Sequence, residues 1–154
     1  CRPEIIIADE PTTALDVTIQ AQVLELMRNL RKEYQTAMLL ITHDLGVVAE
    51  ICSRVAIMYA GYIVECGTLE DVYEHTAHPY TEGLFGSLPS ANIKEKRLHP
   101  INGLMPDPAD LPKGCPFAPR CKDAEKRCHE VMPADTELSP GHIVRCLKYQ
   151  KEMS

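Results

Sequence analysis

The chain begins with a short apolar run, Ile5-Ile6-Ile7-Ala8, that ends in two adjacent acids, Asp9-Glu10. A run of this length closed by carboxylates predicts a buried parallel strand whose carboxyl end delivers the acids to the crevice where α/β sheets bind ligands. Ile19, Val23, Leu26, Met27, Leu30 and Tyr34 then recur at three- and four-residue spacing, so residues 18–34 are predicted as an amphipathic helix, capped by Asp16 or Thr18. Ala37 to Thr42 forms a second short strand that brings His43 to the same sheet edge, and Asp44 caps a helix from about Leu45 to Ile51. The runs Arg54 to Tyr59 and Tyr62 to Cys66, separated only by Ala60-Gly61, predict a tight hairpin at the end of that sheet, which is then mixed. Thr68 opens one or two helical turns through Tyr73, and another helix follows His78-Pro79 over about Thr81 to Ser87.

Beyond Pro89 the periodicity fades and proline takes over as punctuation. Nine of the twelve prolines and four of the seven cysteines fall after residue 87, which places a domain boundary near Leu88-Pro89-Ser90 and divides the chain into 1–87 and 88–154. Charge changes at the same place: residues 1–87 carry five Lys/Arg against thirteen Asp/Glu, and residues 88–154 carry eleven against nine. The second part has too little contiguous apolar surface to order itself by burial, so another interaction has to hold it.

At 154 residues the chain can bury one core, or one small core and an appendage. No apolar run reaches the length that spans a bilayer. The net charge of −6 argues against a nucleic-acid surface, which needs excess Lys and Arg.

The chemistry suggested by the first part is phosphoryl transfer. One acid at the end of the first strand can hold Mg²⁺ and its neighbour can orient a water, with Asp16 six residues on and His43 predicted at the same sheet edge. Taken alone, residues 5–10 read equally well as a core strand ending in a solvated acidic turn. A lone His after a strand is usually a satisfied imidazole.

The stretch Ile5-Ile6-Ile7-Ala8-Asp9-Glu10-Pro11-Thr12-Thr13-Ala14-Leu15-Asp16 resembles the Walker B motif and D-loop of ATP-binding cassette (ABC) ATPases, and Ile41-Thr42-His43-Asp44 resembles their H-loop. The resemblance implies an α/β fold, the C-terminal part of a P-loop NTPase (RecA-like) ABC ATPase domain, with ATP and Mg²⁺ as cofactors. It implies catalytic roles for Glu10, which polarises the attacking water, and His43, which contacts the γ-phosphate. It further implies that Asp9 helps hold the Mg²⁺ shell and that Asp16 reaches across a dimer to the partner's phosphate loop. The sequence contains neither G-x-x-x-x-G-K-[ST] nor Leu-Ser-Gly-Gly-Gln. The chain is therefore expected to be the C-terminal piece of a longer subunit, inactive alone.

Leu45-Gly46-Val47-Val48-Ala49-Glu50, Met58-Tyr59-Ala60-Gly61 and His78-Pro79-Tyr80-Thr81 look like the subgroup serving dipeptide and oligopeptide permeases, the D-type subunit in particular. The partners so implied are a second ABC ATPase subunit, two transmembrane permease subunits and, indirectly, a substrate-binding protein, with the chain peripheral on the cytoplasmic face of the cell membrane. Nickel and glutathione importers share these motifs, and non-transport ABC ATPases acting on DNA or ribosomes share Asp9, Glu10, Asp16 and His43. A bare metal- or cluster-binding module is a further alternative.

Cys1, Cys52 and Cys66 lie in or beside apolar segments and read as buried small hydrophobes. Cys115, Cys121, Cys128 and Cys146 sit instead among prolines and charges, within 32 residues. Two disulfides are disfavoured in a reducing compartment. Zinc accepts four thiolates but typically takes pairs two to four residues apart, which are absent here. An iron–sulfur cluster tolerates wider spacing. The permease ATPases that this chain resembles carry a C-terminal extension with this Cys pattern, associated with a [4Fe-4S] cluster, and that resemblance ranks the cluster above zinc. Arg120, Lys122, Lys126, Arg127, Arg145 and Lys148 are expected to offset the negative charge of the thiolates, and His129 and His142 are candidate substitute ligands.

Overall fold

The computed structural model describes residues 3–87 and 101–150. Cys1 and the expected boundary at Leu88-Pro89-Ser90 lie outside the described residues. The chain divides into two compact units, residues 1–53 and 54–154.

In the first unit, β1 (Ile5–Asp9) pairs in parallel with β2 (Ala37–Ile41), in a register that sets Asp9 opposite Ile41. The crossover is α1 (Val17–Tyr34), which Asp16 caps by accepting the Ile19 amide at 2.9 Å. α2 (Leu45–Ile51) follows β2, and Asp44 caps it through the amides of Gly46 and Val47. Leu24, Met27 and Val47 form the buried core, against which Ala8, Met38 and Leu40 pack. The expectation of a strand buried on both faces fails. Ile5, Ile7, Leu39 and Ile41 remain 46–63% exposed, because α1 and α2 cover only one side of the β1–β2 pair.

The second unit contains β3 (Arg54–Tyr59), β4 (Tyr62–Thr68), α3 (Leu69–Glu74), α4 (Pro79–Gly86), α5 (Lys126–Glu130), β5 (Thr136–Ser139) and β6 (His142–Val144). β3 and β4 form the expected hairpin, turning at Ala60 and Gly61, both with positive φ, as a two-residue primed turn requires. The hairpin does not extend the first sheet. It belongs to a separate antiparallel sheet of order β3-β4-β6-β5, because β6 pairs with β4, Val144 opposite Glu65 and Ile143 opposite Cys66. Thr68 caps α3 in a reciprocal box with Asp71. His78 caps α4, its Nδ1 accepting the Tyr80 amide at 3.0 Å, and Pro79 stands in the first turn. Cys52 and Cys66 are half-buried rather than buried, and the Arg54 guanidinium reaches the Cys66 sulfur.

At the centre of this unit Glu65 is fully buried. Its Oε1 accepts the Ala77 amide at 2.8 Å and faces His142 Nε2 at 2.9 Å, while Oε2 accepts the His78 amide at 3.0 Å. One carboxylate thus ties β4, β6 and the turn into α4 together. Glu65→Ala would leave two buried amides and an imidazole without their partner, each orphan costing about 1–3 kcal/mol. We expect this variant to lose several kcal/mol of stability, read as a large fall in the denaturant midpoint. A midpoint near wild type would show that water replaces the carboxylate.

Candidate functional site

Parallel pairing of β1 with β2 brings Glu10 and His43 together. The Glu10 amide donates to the Ile41 carbonyl at 2.8 Å, one step beyond the ladder, and Glu10 Oε1 lies 2.9 Å from His43 Nδ1. The Thr13 hydroxyl donates to Glu10 Oε2 at 2.6 Å. Glu10 has φ of 44°, a left-handed conformation unusual for a non-glycine residue and of the kind that gathers at functional sites. Both side chains face solvent, His43 being 77% exposed. Asp9 closes β1 beside Glu10, and Asp16 is engaged as the α1 cap. Gln20 Nε2 reaches Asp44 Oδ2 at 3.5 Å, linking α1 to the cap of α2 behind His43.

The hydrogen bond from Thr13, then that with His43, holds Glu10 below the usual carboxylate value of 4.5, and the bond to Glu10 raises His43 above 6.5. The His43 contribution is fully present below its ordinary value and is lost as pH rises through the raised one. The Glu10 contribution is present above its ordinary value and is lost as pH falls through the lowered one. The pair is therefore intact across the interval between. NMR titration should place the His43 midpoint above 6.5, falling back toward it in Glu10→Gln; an unchanged midpoint in that variant would show that the pair does not form in solution.

The four tail cysteines meet. Cys115, Cys121, Cys128 and Cys146 line one cavity of about 240 Å³ together with His78, Phe117, Ala118, Pro133 and Leu147. Backbone amides reach all four sulfurs: those of Phe117 and Ala118 at Cys115, Asp123 at Cys121, Lys148 at Cys146, and Glu125 at Cys128, the last at 3.4 Å. Burial raises the Cys115 and Cys146 thiols and pushes Cys121 up to about 11, with the neighbouring cysteines adding to the shift. Thiols so placed stay protonated until a positive centre enters, while the amides are arranged to stabilise sulfur once it is charged. Among the described residues no group of three or more His, Cys, Asp or Glu is arranged to hold a metal ion as it stands.

The expected ring of cations is mostly engaged elsewhere. Arg120 binds the carbonyls of Ile101 and Asn102 and the Tyr59 hydroxyl, Lys122 pairs with Glu82, Arg145 with Asp135, and Arg127 holds the carbonyls of Leu147 and Gln150. Of the six, Lys148 alone lines the cavity. His142 is held by Glu65 and does not line it, so it is no substitute ligand.

Residues 64–128, which include most of β4, the His78-Pro79 turn and three of the four tail cysteines, match the family described as oligopeptide/dipeptide transporter, C-terminal region. The chain is 51% identical over 152 residues to the oligopeptide transport ATP-binding protein AppD of Bacillus subtilis, covering 99% of this chain and 46% of that protein. It is 51% identical to the dipeptide transport ATP-binding protein DppD of the same organism, over 95% of this chain and 44% of the relative. Against the oligopeptide transport ATP-binding protein OppD of Salmonella typhimurium the identity is 46%, over 99% and 45%. This chain is a relative of the oligopeptide and dipeptide transport ATP-binding proteins. It spans about half the length of the curated relatives it matches.

Sequence reading passed over Glu65 and placed His78 only ahead of a helix and within His78-Pro79-Tyr80-Thr81. The available signal for Glu65 was a single acid at an inward position of an otherwise apolar strand, a placement that demands a buried partner. For His78 it was the His-Pro step itself, a cap position followed by Pro at the start of the helix.

Proposed function

We propose that the chain forms the C-terminal part of an ATP-hydrolysing subunit that energises import of dipeptides or oligopeptides. The observation that carries this reading is Glu10 held against His43 at the ends of two adjacent parallel strands, in a chain about half identical to peptide-transport ATP-binding proteins. Asp9 helps hold the Mg²⁺ shell of bound ATP, and Glu10 takes the proton of the attacking water. His43 donates toward the γ-phosphate, and Asp16 approaches the partner's phosphate loop from the start of α1. Water-directed phosphoryl transfer depends on this positioning and on charge compensation at the γ-phosphate. The subunit pairs with a second ABC ATPase subunit and two transmembrane permeases, receives peptide through a substrate-binding protein, and sits on the cytoplasmic face. No helix among the described residues is long and apolar enough to cross a membrane, in keeping with a peripheral place. Hydrolysis by the assembled transporter carrying Glu10→Gln tests the reading.

The same proposal assigns Cys115, Cys121, Cys128 and Cys146 as ligands of one [4Fe-4S] cluster. Convergence of four half-buried thiols on one cavity, with amides directed at their sulfurs, supports it. A polynuclear group, whose separate irons each take one thiolate, suits the wide spacing of the four cysteines in sequence better than a single zinc ion does. When bound, the cluster supplies a covalent tie between the loop of residues 115–121, α5 and the segment after β6. Anaerobic purification with iron and sulfide analysis tests this part.

A further inference from the structure

We propose that His78 donates its Nε2–H to sulfur of the iron–sulfur group held by the four cysteines, and so acts as a positioning residue that sets the group's reduction potential. The inference rests on the cluster reading above and adds a residue outside the ligand set.

His78 is 1% exposed and lines the same cavity as Cys115, Cys121, Cys128 and Cys146. Its Nδ1 is committed, because it accepts the Tyr80 amide at the start of α4. Accepting that amide proton leaves Nδ1 without a proton of its own, so the ring's proton lies on Nε2. No described residue accepts that proton. That leaves Nε2–H as the ring's donor toward the cavity that His78 lines with the four cysteines. The ring is fixed from three sides: Glu65 holds the His78 amide, Phe117 packs at 5.9 Å between centroids, and Pro79 sets the turn. An oriented N–H donor on the wall of the four-cysteine cavity stabilises the more negative, reduced state of a metal–sulfur group, and hydrogen bonds to sulfur are among the protein's means of setting such potentials.

The test uses two amide variants. His78→Asn puts an oxygen where Nδ1 caps α4 but has nothing at the Nε2 position, whereas His78→Gln restores a donor near Nε2. The full chain is reconstituted anaerobically with iron and sulfide, iron is counted, and the one-electron midpoint is read by dithionite titration. The expected result is equal iron loading, with the midpoint in His78→Asn moved negative by the equivalent of roughly tenfold in the reduction equilibrium, about 59 mV, and partly restored in His78→Gln. Equal loading with one midpoint for all three proteins would overturn the proposal alone. A wild-type chain that takes up no iron would overturn the cluster reading and this proposal with it. Loss of iron in His78→Asn but not in His78→Gln would also support the donor, as a group needed for retention; loss in both would overturn it, since the ring would then serve only to fill space.

Discussion

Glu10→Gln in the full-length subunit is expected to bind ATP as well as the parent and to lose about 10²–10⁴-fold in turnover, the range for removing a positioned general base. The amide keeps the shape of the carboxylate and can still meet the Thr13 hydroxyl and His43 Nδ1, both of which contact Glu10 here. On the roles proposed above, nucleotide affinity depends on groups that the substitution leaves in place, Asp9 among them. On that proposal, what is lost is an acceptor for the proton of the attacking water and the negative charge that raises the His43 pKa. Both losses act on the transition state rather than on binding, so turnover falls while affinity holds. Single-turnover hydrolysis beside a binding isotherm separates the two. Hydrolysis at the parental rate would remove Glu10 from the role of base; loss of binding to the same degree as turnover would mark it as a ground-state contact.

The first unit was legible almost to the residue, because local chemistry decides it. Periodic apolar positions flanked by Asp16 and Asp44 fix both helices, and each acid caps its helix as expected. The meeting of Glu10 with His43 follows from two short parallel strands in register. The second unit was legible only in its hairpin and its capped turns. β5 and β6 are four and three residues long, and β5 is largely exposed, so neither carries a pattern of its own. Their order comes from pairing with β4, about eighty residues earlier in the chain, and from Glu65 reaching His142 across that seam. Such long-range terms leave no local signal. Glu65 illustrates the difficulty: in sequence it is one acid among many, and only the approach of Ala77, His78 and His142 makes it the centre of the unit.

Replacing any one of Cys115, Cys121, Cys128 or Cys146 by Ser is expected to abolish retention of iron and to loosen the tail, since ligation contributes folding free energy directly. Without the group, the links among its three segments include the Cys115 amide to the Cys128 carbonyl at 2.8 Å and the Arg127 guanidinium to the Leu147 carbonyl. Anaerobic material should carry about four irons per chain, and each Ser variant should lose them together with amide-exchange protection at residues 115–121 and 126–130. Gly114→Ala should do the same without touching a thiol. A Cβ at Gly114 would stand 2.3 Å from the Cys128 carbonyl oxygen and 2.6 Å from the His129 carbonyl carbon, both backbone atoms, so Cys115 and Cys128 would be forced apart. A Ser variant that keeps full iron would exclude that cysteine as a ligand, and stoichiometric zinc without iron under these conditions would overturn the cluster. Equal protection with and without iron would show that the β4–β6 seam alone orders the tail, leaving the cysteines a role that the fold does not require.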